Sequence, residues 1–310
     1  MFNKLHNKDF AIAVKTGTDQ TKFAKEAVKG ELFFNTSDNK LYIATTTAGA
    51  SDATLESVGG GGSSFLNQYS LSFDGTNDAL STGYTPSPST GFTTSMWVKS
   101  SNTSQNMTFF SCTFPNGGIG GFSLLSVGSL GGFYVQVKNS ASTTYTNNSL
   151  GASTTRTDLC DGNWHHLAVT IDGTAIKVYL DGGDAVINSS NTSNTAGSPY
   201  ATATSTVSYA GTAGNPYFFG RNGAYTNSAN YWYDGLIDEP AFFETALDGA
   251  TIASIYNSGV PDDLTSLNPK LWYRMGDNDS GTGTTITDQG SGGNDGTLIN
   301  GPTFSTTVPS

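Results

Sequence analysis

The chain has 310 residues and a mass of 32.4 kDa, with 36% apolar and 13% charged residues, 38 glycines and a net charge of −11. That length suits one large all-β domain plus an appendage, and an aromatic content of 12% separates it from disordered chains of similarly low charge. Residues 1–60 hold seven lysines and seven acids, so the other seven basic and 18 acidic residues carry the whole −11; such an acidic body disfavours nucleic acid and anionic membranes as partners and suits neutral glycans and divalent cations.

No apolar run reaches 18 residues, so membrane insertion is not expected. The opening MFNKLHNKDFAIAVK lacks a continuous apolar core and a small-residue cleavage site, so no secretory signal is read. The Gly, Ser, Thr and Asn content nevertheless suits an extracellular setting. Synthesis in a host cytoplasm combined with a surface built for the outside points to a virion component released by lysis. Cys112 and Cys160, the only cysteines, have no CxxC spacing and read as free, partly buried thiols, a disulfide between facing strands being the alternative.

In chain order, residues 1–58 form a first region whose clearest element is a hairpin, Leu32–Asn35 and Leu41–Ala44 flanking Ser37-Asp38-Asn39. A lone hairpin is marginal, so its aromatics must bury against something else. Residues 59–64, GGGGSS, form no regular element and mark a flexible hinge and domain boundary. From Phe65 short strands recur between Gly, Asn and Asp turns: Ser70–Phe73, Phe92–Lys99, Thr108–Thr113, Phe122–Val127, Gly132–Lys138, Tyr217–Gly220, Gly235–Phe243 and Leu271–Met275. Between them, DGNWHHLAVTIDGTAIKVYLDG (Asp161–Gly182) reads as two strands joined at Asp172-Gly173. Leu167, Val169 and Ile171 share one face of the first strand, and Ile176, Val178 and Leu180 share one face of the second. The pattern predicts a β-sandwich. One helix is predicted at Leu247–Gly259, capped by Asp248 and stopped by Gly259 and Pro261. Residues 188–216 read as a long surface loop with a weak strand at Thr204–Tyr209. Residues 221–234 read as a loop rich in Tyr, Trp and Asn.

His165 and His166 are adjacent on a strand and face opposite ways, which argues against a shared metal or catalytic role; both read as scaffold histidines that hydrogen-bond to loops. The run from Asp277 begins like an EF-hand, but Thr282 stands at the required glycine and Asp288 at the bidentate glutamate, so that reading is rejected. A glycan site needs aromatic faces beside amide and hydroxyl partners, and the 221–234 loop offers Tyr225, Tyr231 and Trp232 with Asn227 and Asn230. The alternative is that Tyr231 and Tyr233 turn into the core while Trp232 covers a sheet edge.

Four ordered segments, SLSFDGTNDALSTG, FTTSMWVK, DGNWHHLAVTIDGTAIKVYLDG and YDGLIDEPAFFETALDGATIASIYNSG, resemble the LamG-like group of the concanavalin A-like lectin/glucanase superfamily. The resemblance implies an all-β, two-sheet antiparallel jelly roll with one short helix over residues 65–310. It also implies a calcium at the loop rim, carried over onto Asp74, Asn77, Asp78 and Asp238; the alternative is that Asp74 and Asp238 only pin turns. Text that opens the family's domain stands last here, in LWYRMGDND and ITDQGSGGNDGTLINGPTF, so a circular permutation is expected in which residues 265–310 return beside the Ser70 strand, or else a strand donated to a neighbouring subunit. The ExDxxE strand of laminarinase-like members is absent, and Glu239 and Glu244 are the only glutamates beyond the hinge, so no enzyme is expected. The GELFFNTSDNKLYI hairpin resembles hairpins near the N-termini of tailed-phage fibre and virion appendage proteins, where it belongs to oligomeric, often trimeric, attachment segments. Together these expectations describe a virion tail-fibre or capsid appendage that joins other virion proteins through residues 1–58 and displays a lectin-like domain to host polysaccharide. The alternatives are a purely architectural decoration protein and, behind it, a polysaccharide-degrading enzyme.

Overall fold

A computed structural model describes residues 2–7, 10–17, 23, 25–26, 29–35, 40–44, 46–48, 55–57, 65–86, 91–112, 121–127, 132–138, 146–150, 159–183, 201–204, 216–221 and 231–310. The chain divides into two units, Met1–Phe65 and Leu66–Ser310.

The first unit is a five-stranded sheet in the order β1 (Phe2–Asn7), β2 (Phe10–Gly17), β3 (Leu32–Asn35), β4 (Lys40–Ala44), β5 (Leu55–Ser57). The β3–β4 hairpin expected from the turn residues is present, with Phe33 opposite Tyr42. It joins β2 by a parallel pairing that turn chemistry does not reveal. Its aromatics bury as a marginal hairpin requires: Phe33 stacks on Phe23 at 4.8 Å, and both pack with Ala44.

The second unit is an all-β sandwich of two sheets. The first holds β6 (Ser70–Asp74), β8 (Gly91–Lys99), β13 (Trp164–Asp172), β14 (Ala175–Leu180), β15 (Ala201–Thr204), β17 (Asp234–Phe243) and β21 (Thr303–Ser305), ordered 15-14-13-8-17-6-21, with β18 (Leu271–Trp272) on β17. The second holds β7 (Ala79–Ser81), β9 (Met107–Cys112), β10 (Gly121–Val127), β11 (Gly132–Lys138), β12 (Thr146–Leu150), β16 (Phe218–Phe219), β19 (Thr285–Ile286) and β20 (Gly296–Ile299), ordered 12-11-10-9-16-7-20-19. Of the weak strand expected at Thr204–Tyr209, all but Thr204 lies outside the described residues; Thr204 ends the strand Ala201–Thr204, which edges β14.

The Asp172-Gly173 hairpin places Leu167, Val169 and Ile171 opposite Leu180, Val178 and Ile176. All six are buried in the inter-sheet core with Phe92, Phe109, Phe219, Tyr217 and Tyr233. The C-terminal strands close the sandwich within the same chain. β21 pairs with β6, β20 with β7, and Leu271, Tyr273, Met275 and Ile286 enter the core. The helix α1 (Gly249–Tyr256) begins where Asp248 accepts from the Thr251 amide at 2.8 Å. It buries Ile252 and Ile255 and lays Tyr256 on Trp97 of β8 at 5.7 Å, covering the outer face of the first sheet. Cys112 and Cys160 are both buried with free thiols.

Candidate functional site

At one end of the sandwich β6 finishes, β8 finishes, and β13 and β17 begin, so the turn at 75–78, the loop at 100–106, residues 161–163 and the segment before Asp234 share one rim. The Asp74 carboxylate accepts from the amides of Thr76 (2.8 Å) and Asn77 (3.3 Å), and Asp78 accepts from the Asp74 amide at 3.1 Å. This is an Asx-type turn around Gly75, whose φ is 71°. Burial pushes Asp78 above the ordinary carboxylate range, the Asp74 amide opposing it in part. Asn77 is exposed, and its carbonyl accepts from Asn300 Nδ2.

Asp238 does not join them. The β17–β6 register sets Asp234 opposite Asp74 and Ile237 opposite Leu71. Asp238 therefore lies four residues further along, about 13 Å from the Asp74 end at the usual rise per strand residue. The four residues expected around one calcium are thus not one ligand set. Six to eight oxygens are needed, and the fold brings only Asp74, Asn77 and Asp78 to one turn, with one oxygen each of Asp74 and Asp78 already accepting backbone amides. Among the described residues no three His, Cys, Asp or Glu side chains converge on a metal position.

Asp238 instead belongs to a buried network at a bulge in β17, where pairing with β8 slips between Asp238 and Ala241 and Glu239 takes a left-handed φ of 47°. Asp238 accepts from Asn67 Nδ2 and from the Glu239 amide, both at 2.9 Å. Glu239 accepts from Trp272 Nε1 at 2.5 Å and from Arg274 Nε at 3.4 Å. Arg274 also donates to Asp277 and to the Leu66 carbonyl, and Asp277 accepts from the Gln68 and Tyr69 amides. Burial drives both acids upward, Glu239 to about 8 despite Arg274 and Trp272, and Asp238 well above the ordinary carboxylate range, with the charge of Glu239 adding to the effect of burial. The network ties the entry segment 66–69 to β17 and to the C-terminal strands.

Of the expected glycan residues, Tyr225, Asn227 and Asn230 lie outside the described residues. Tyr231 and Trp232 are half-buried at the rim. Tyr233 turns fully into the core, packing on Phe109 and donating to the Lys99 and Leu236 carbonyls. Gln105 donates to the Gly75 carbonyl at 2.7 Å and weakly to that of Trp232. Asn102 donates to Asp234 at 2.8 Å. Beside them a pocket of about 220 Å³ is lined by Lys99, Ser100, Ser101, Asn102, Asp234 and Leu236 among others.

One residue against Trp232, Arg221, was not singled out by the sequence reading. Arg221 lays its guanidinium 4.7 Å from the Phe218 ring centroid and 5.5 Å from that of Trp232. Its carbonyl accepts from Ser111 Oγ at 2.7 Å. A signal was present: Arg221 heads the aromatic loop and is one of only seven cations after residue 60.

The two histidines are scaffold. His165 is held between Asp181 (2.8 Å) and Asp161 (3.1 Å); burial would lower it, but the hydrogen bonds and charges of those acids outweigh burial and hold it above its ordinary value. His166, on the opposite face, bonds Ser95 Oγ at 2.7 Å and packs at a tilt against Trp97 and Tyr256; burial pulls it down to about 4, with the Asp181 charge opposing. The Ser95–His166 pair is fully enclosed, so no substrate reaches it.

No curated protein matches the chain. Among solved structures, a candidate carbohydrate-binding protein from Bacteroides ovatus matches with a TM-score of 0.53 and 15% identity, covering 91% of this chain and 71% of that one. Weaker likenesses are to the CBM40 of the Ruminococcus gnavus IT-sialidase (TM-score 0.43, 12% identity, 62% and 98% covered) and to domains LG4-5 of the mouse laminin alpha1 chain (0.40, 15%, 68% and 50%). Residues 74–253, more than half of the chain, match the third laminin G family model, and with the two-sheet sandwich in place the chain belongs to the concanavalin A-like lectin/glucanases superfamily.

Proposed function

We propose that this chain is a virion appendage protein whose sandwich adheres reversibly to host-surface polysaccharide, with residues 1–58 as its attachment and oligomerisation segment. The observation that carries adhesion is the rim formed by residues 100–106 and 231–234, which holds a half-buried Trp232 and a pocket lined by Lys99, Asn102 and Asp234. Sugars present C–H faces to aromatic rings and hydroxyls to amide, carboxylate and ammonium groups, and Asn102, Asp234 and Lys99 supply those groups here. The Bacteroides ovatus fold-mate is itself a candidate carbohydrate binder, which accords with this reading and at 15% identity speaks to the fold alone. Virion attachment rests on the likeness of the β3–β4 hairpin to phage-fibre hairpins. Oligomeric display, as in a trimer, makes individually weak sites effective through avidity.

The reading is of binding without turnover. Asp238 and Glu239 are neighbours, buried, and consumed by Asn67, Trp272 and Arg274, so neither is placed to protonate a leaving group in a cleft. Glu244 is bonded to the Tyr84 hydroxyl. The calcium expectation is carried forward only for the Asp74–Asp78 turn.

One observation favours a second reading, an architectural protein that touches only virion subunits. The pocket is smaller than the 300–1,000 Å³ or so usual for ligand clefts. A glycan array with the full chain, run in calcium and in EDTA, separates the two. Adhesion predicts signals that Trp232→Ala abolishes without lowering the melting temperature by more than a few degrees. Loss of signal in EDTA supports an ion at the Asp74 turn. Silence in both buffers refutes adhesion, and a monomer by light scattering of the full chain refutes the oligomeric anchor.

A further inference from the structure

Resting on the adhesion reading, we infer that Arg221, Phe218 and Trp232 form a subsite for a carboxylated sugar, such as a uronic or sialic acid, on the outer face of the second sheet. Strand alternation sets the platform. β16 is two residues long; Phe219 is fully buried in the core, so Phe218 faces outward. Ser111 is its partner on β9, and because Ser111 Oγ donates to the Arg221 carbonyl, the arginine backbone is fixed directly over this face. The guanidinium is then held over both the Phe218 and the Trp232 rings.

The two rings supply aromatic contact to that cation but no acceptor for its fork of N–H donors. Nε is buried and meets no acceptor, and among the described residues no carboxylate pairs with Arg221. The contrast with Arg274 is direct: that arginine is bonded to Glu239, Asp277 and a carbonyl. In a chain with 25 acids and 14 bases, a half-buried arginine with no acid beside it among the described residues is an exception that needs a cause. An uncompensated, partly desolvated cation is costly, and burial lowers Arg221 from its ordinary value in keeping with that cost. A carboxylate answers the fork with two parallel bonds, which a sugar hydroxyl does not.

The sheet also offers room for the rest of a glycan. The register aligns Phe218 with Ser81, Thr297 and Thr285 on successive strands. Ser81 is half-buried, Thr297 and Thr285 are exposed, and the row runs to the sheet edge with hydroxyls about 4.8 Å apart.

The test is calorimetric titration of the full chain with an oligogalacturonate and with sialyllactose, each beside its carboxyl-reduced form, and with a sulfated neutral oligosaccharide. One acid form is expected to bind about 10- to 100-fold tighter than its reduced counterpart, the range of a charge-assisted bidentate pair. Arg221→Lys, which keeps the charge and removes the fork, should erase most of that ratio and leave the reduced form within about twofold. Equal binding of acid and reduced forms overturns the inference and leaves the lectin reading standing. Tighter binding of the sulfated ligand overturns the carboxylate assignment, as does an unchanged ratio in Arg221→Lys. Binding of none of the ligands here, with silence of the array, removes the lectin reading and this inference with it. The comparison of acid with reduced ligand uses only the unaltered protein, so it stands even if the variant misfolds.

Discussion

Deleting residues 265–310 tests how the sandwich is closed. The deletion removes β18 to β21 and with them Leu271, Tyr273, Met275 and Ile286, each fully buried. At about 1.5–3 kcal/mol for each large apolar side chain taken out of water, the lost burial is about 6–12 kcal/mol. The whole stability of a domain is about 5–15 kcal/mol, so the truncated sandwich should not fold cooperatively. β6 and β7 would also lose a neighbouring strand each, and the Gln68 and Tyr69 amides would lose Asp277. Urea unfolding followed by near-ultraviolet circular dichroism of residues 66–310 against 66–264 is the assay. Loss of the transition is expected, with partial recovery when a peptide of residues 265–310 is added. A truncated protein with the same midpoint and slope would refute the reasoning, because those side chains would then contribute nothing to the core. Independence of the midpoint from protein concentration in the longer chain is also expected, since the closing strands belong to the same chain.

The neighbouring histidines should titrate in opposite senses. His165 is held above its ordinary value, so its stabilisation is complete below about 6.5 and is lost as pH rises through the folded value. His166, lowered to about 4, stabilises above about 6.5 and loses that contribution as pH falls toward 4. Imidazole proton shifts followed from pH 4 to 9 should show two well-separated midpoints, and a single shared midpoint near 6.5 would contradict both environments. His165→Gln should lower the urea midpoint more at pH 6 than at pH 9. Glu239, at about 8 in the fold, favours the folded state below about pH 4.3 and loses that preference as pH rises through 8. Glu239→Gln keeps an acceptor for Trp272 and should flatten the fall in melting temperature between pH 6 and 9; a steeper fall would show that the Arg274 pair outweighs burial. The same variant should leave reducing-sugar release from host polysaccharide at background, and wild-type release that this substitution abolishes would establish catalysis. Gly235→Ala should destabilise by about 2–4 kcal/mol in urea titration, because φ is 146° and an added Cβ would sit 2.2 Å from the Lys99 carbonyl.

Much of the sandwich was legible because its causes are local. Alternation in LAVTI and AIKVYL sets which side chains face inward, and Asp172-Gly173 supplies the turn; the register that joins Val169 to Val178 follows from those two facts. Asp248 capped its helix as its position before the apolar run implied. The turn around Gly75 was legible in the same way, since Asp74 bonds amides only two and three residues away.

What depended on distant segments was not legible. Asp238 looked like a rim ligand because GLIDE matched a family text, but the β17–β6 register and the bulge at Glu239 carry it to a buried network with Asn67, which precedes it by 171 residues. Phe218 and Arg221 gave no pattern of their own, because β16 is too short for alternation to be read. The outward position of Phe218 follows from pairing with β9 and β7, Arg221 is tied to β9 through Ser111, and its guanidinium meets Phe218 and Trp232 only in the folded chain. The sequence alone determined strand identity, facing and turns, since each rests on a period of two or on a few adjacent residues. The tertiary structure decided which distant carboxylates share a burial site and which arginine stands without one among the described residues, because burial and pairing are properties of neighbours in space.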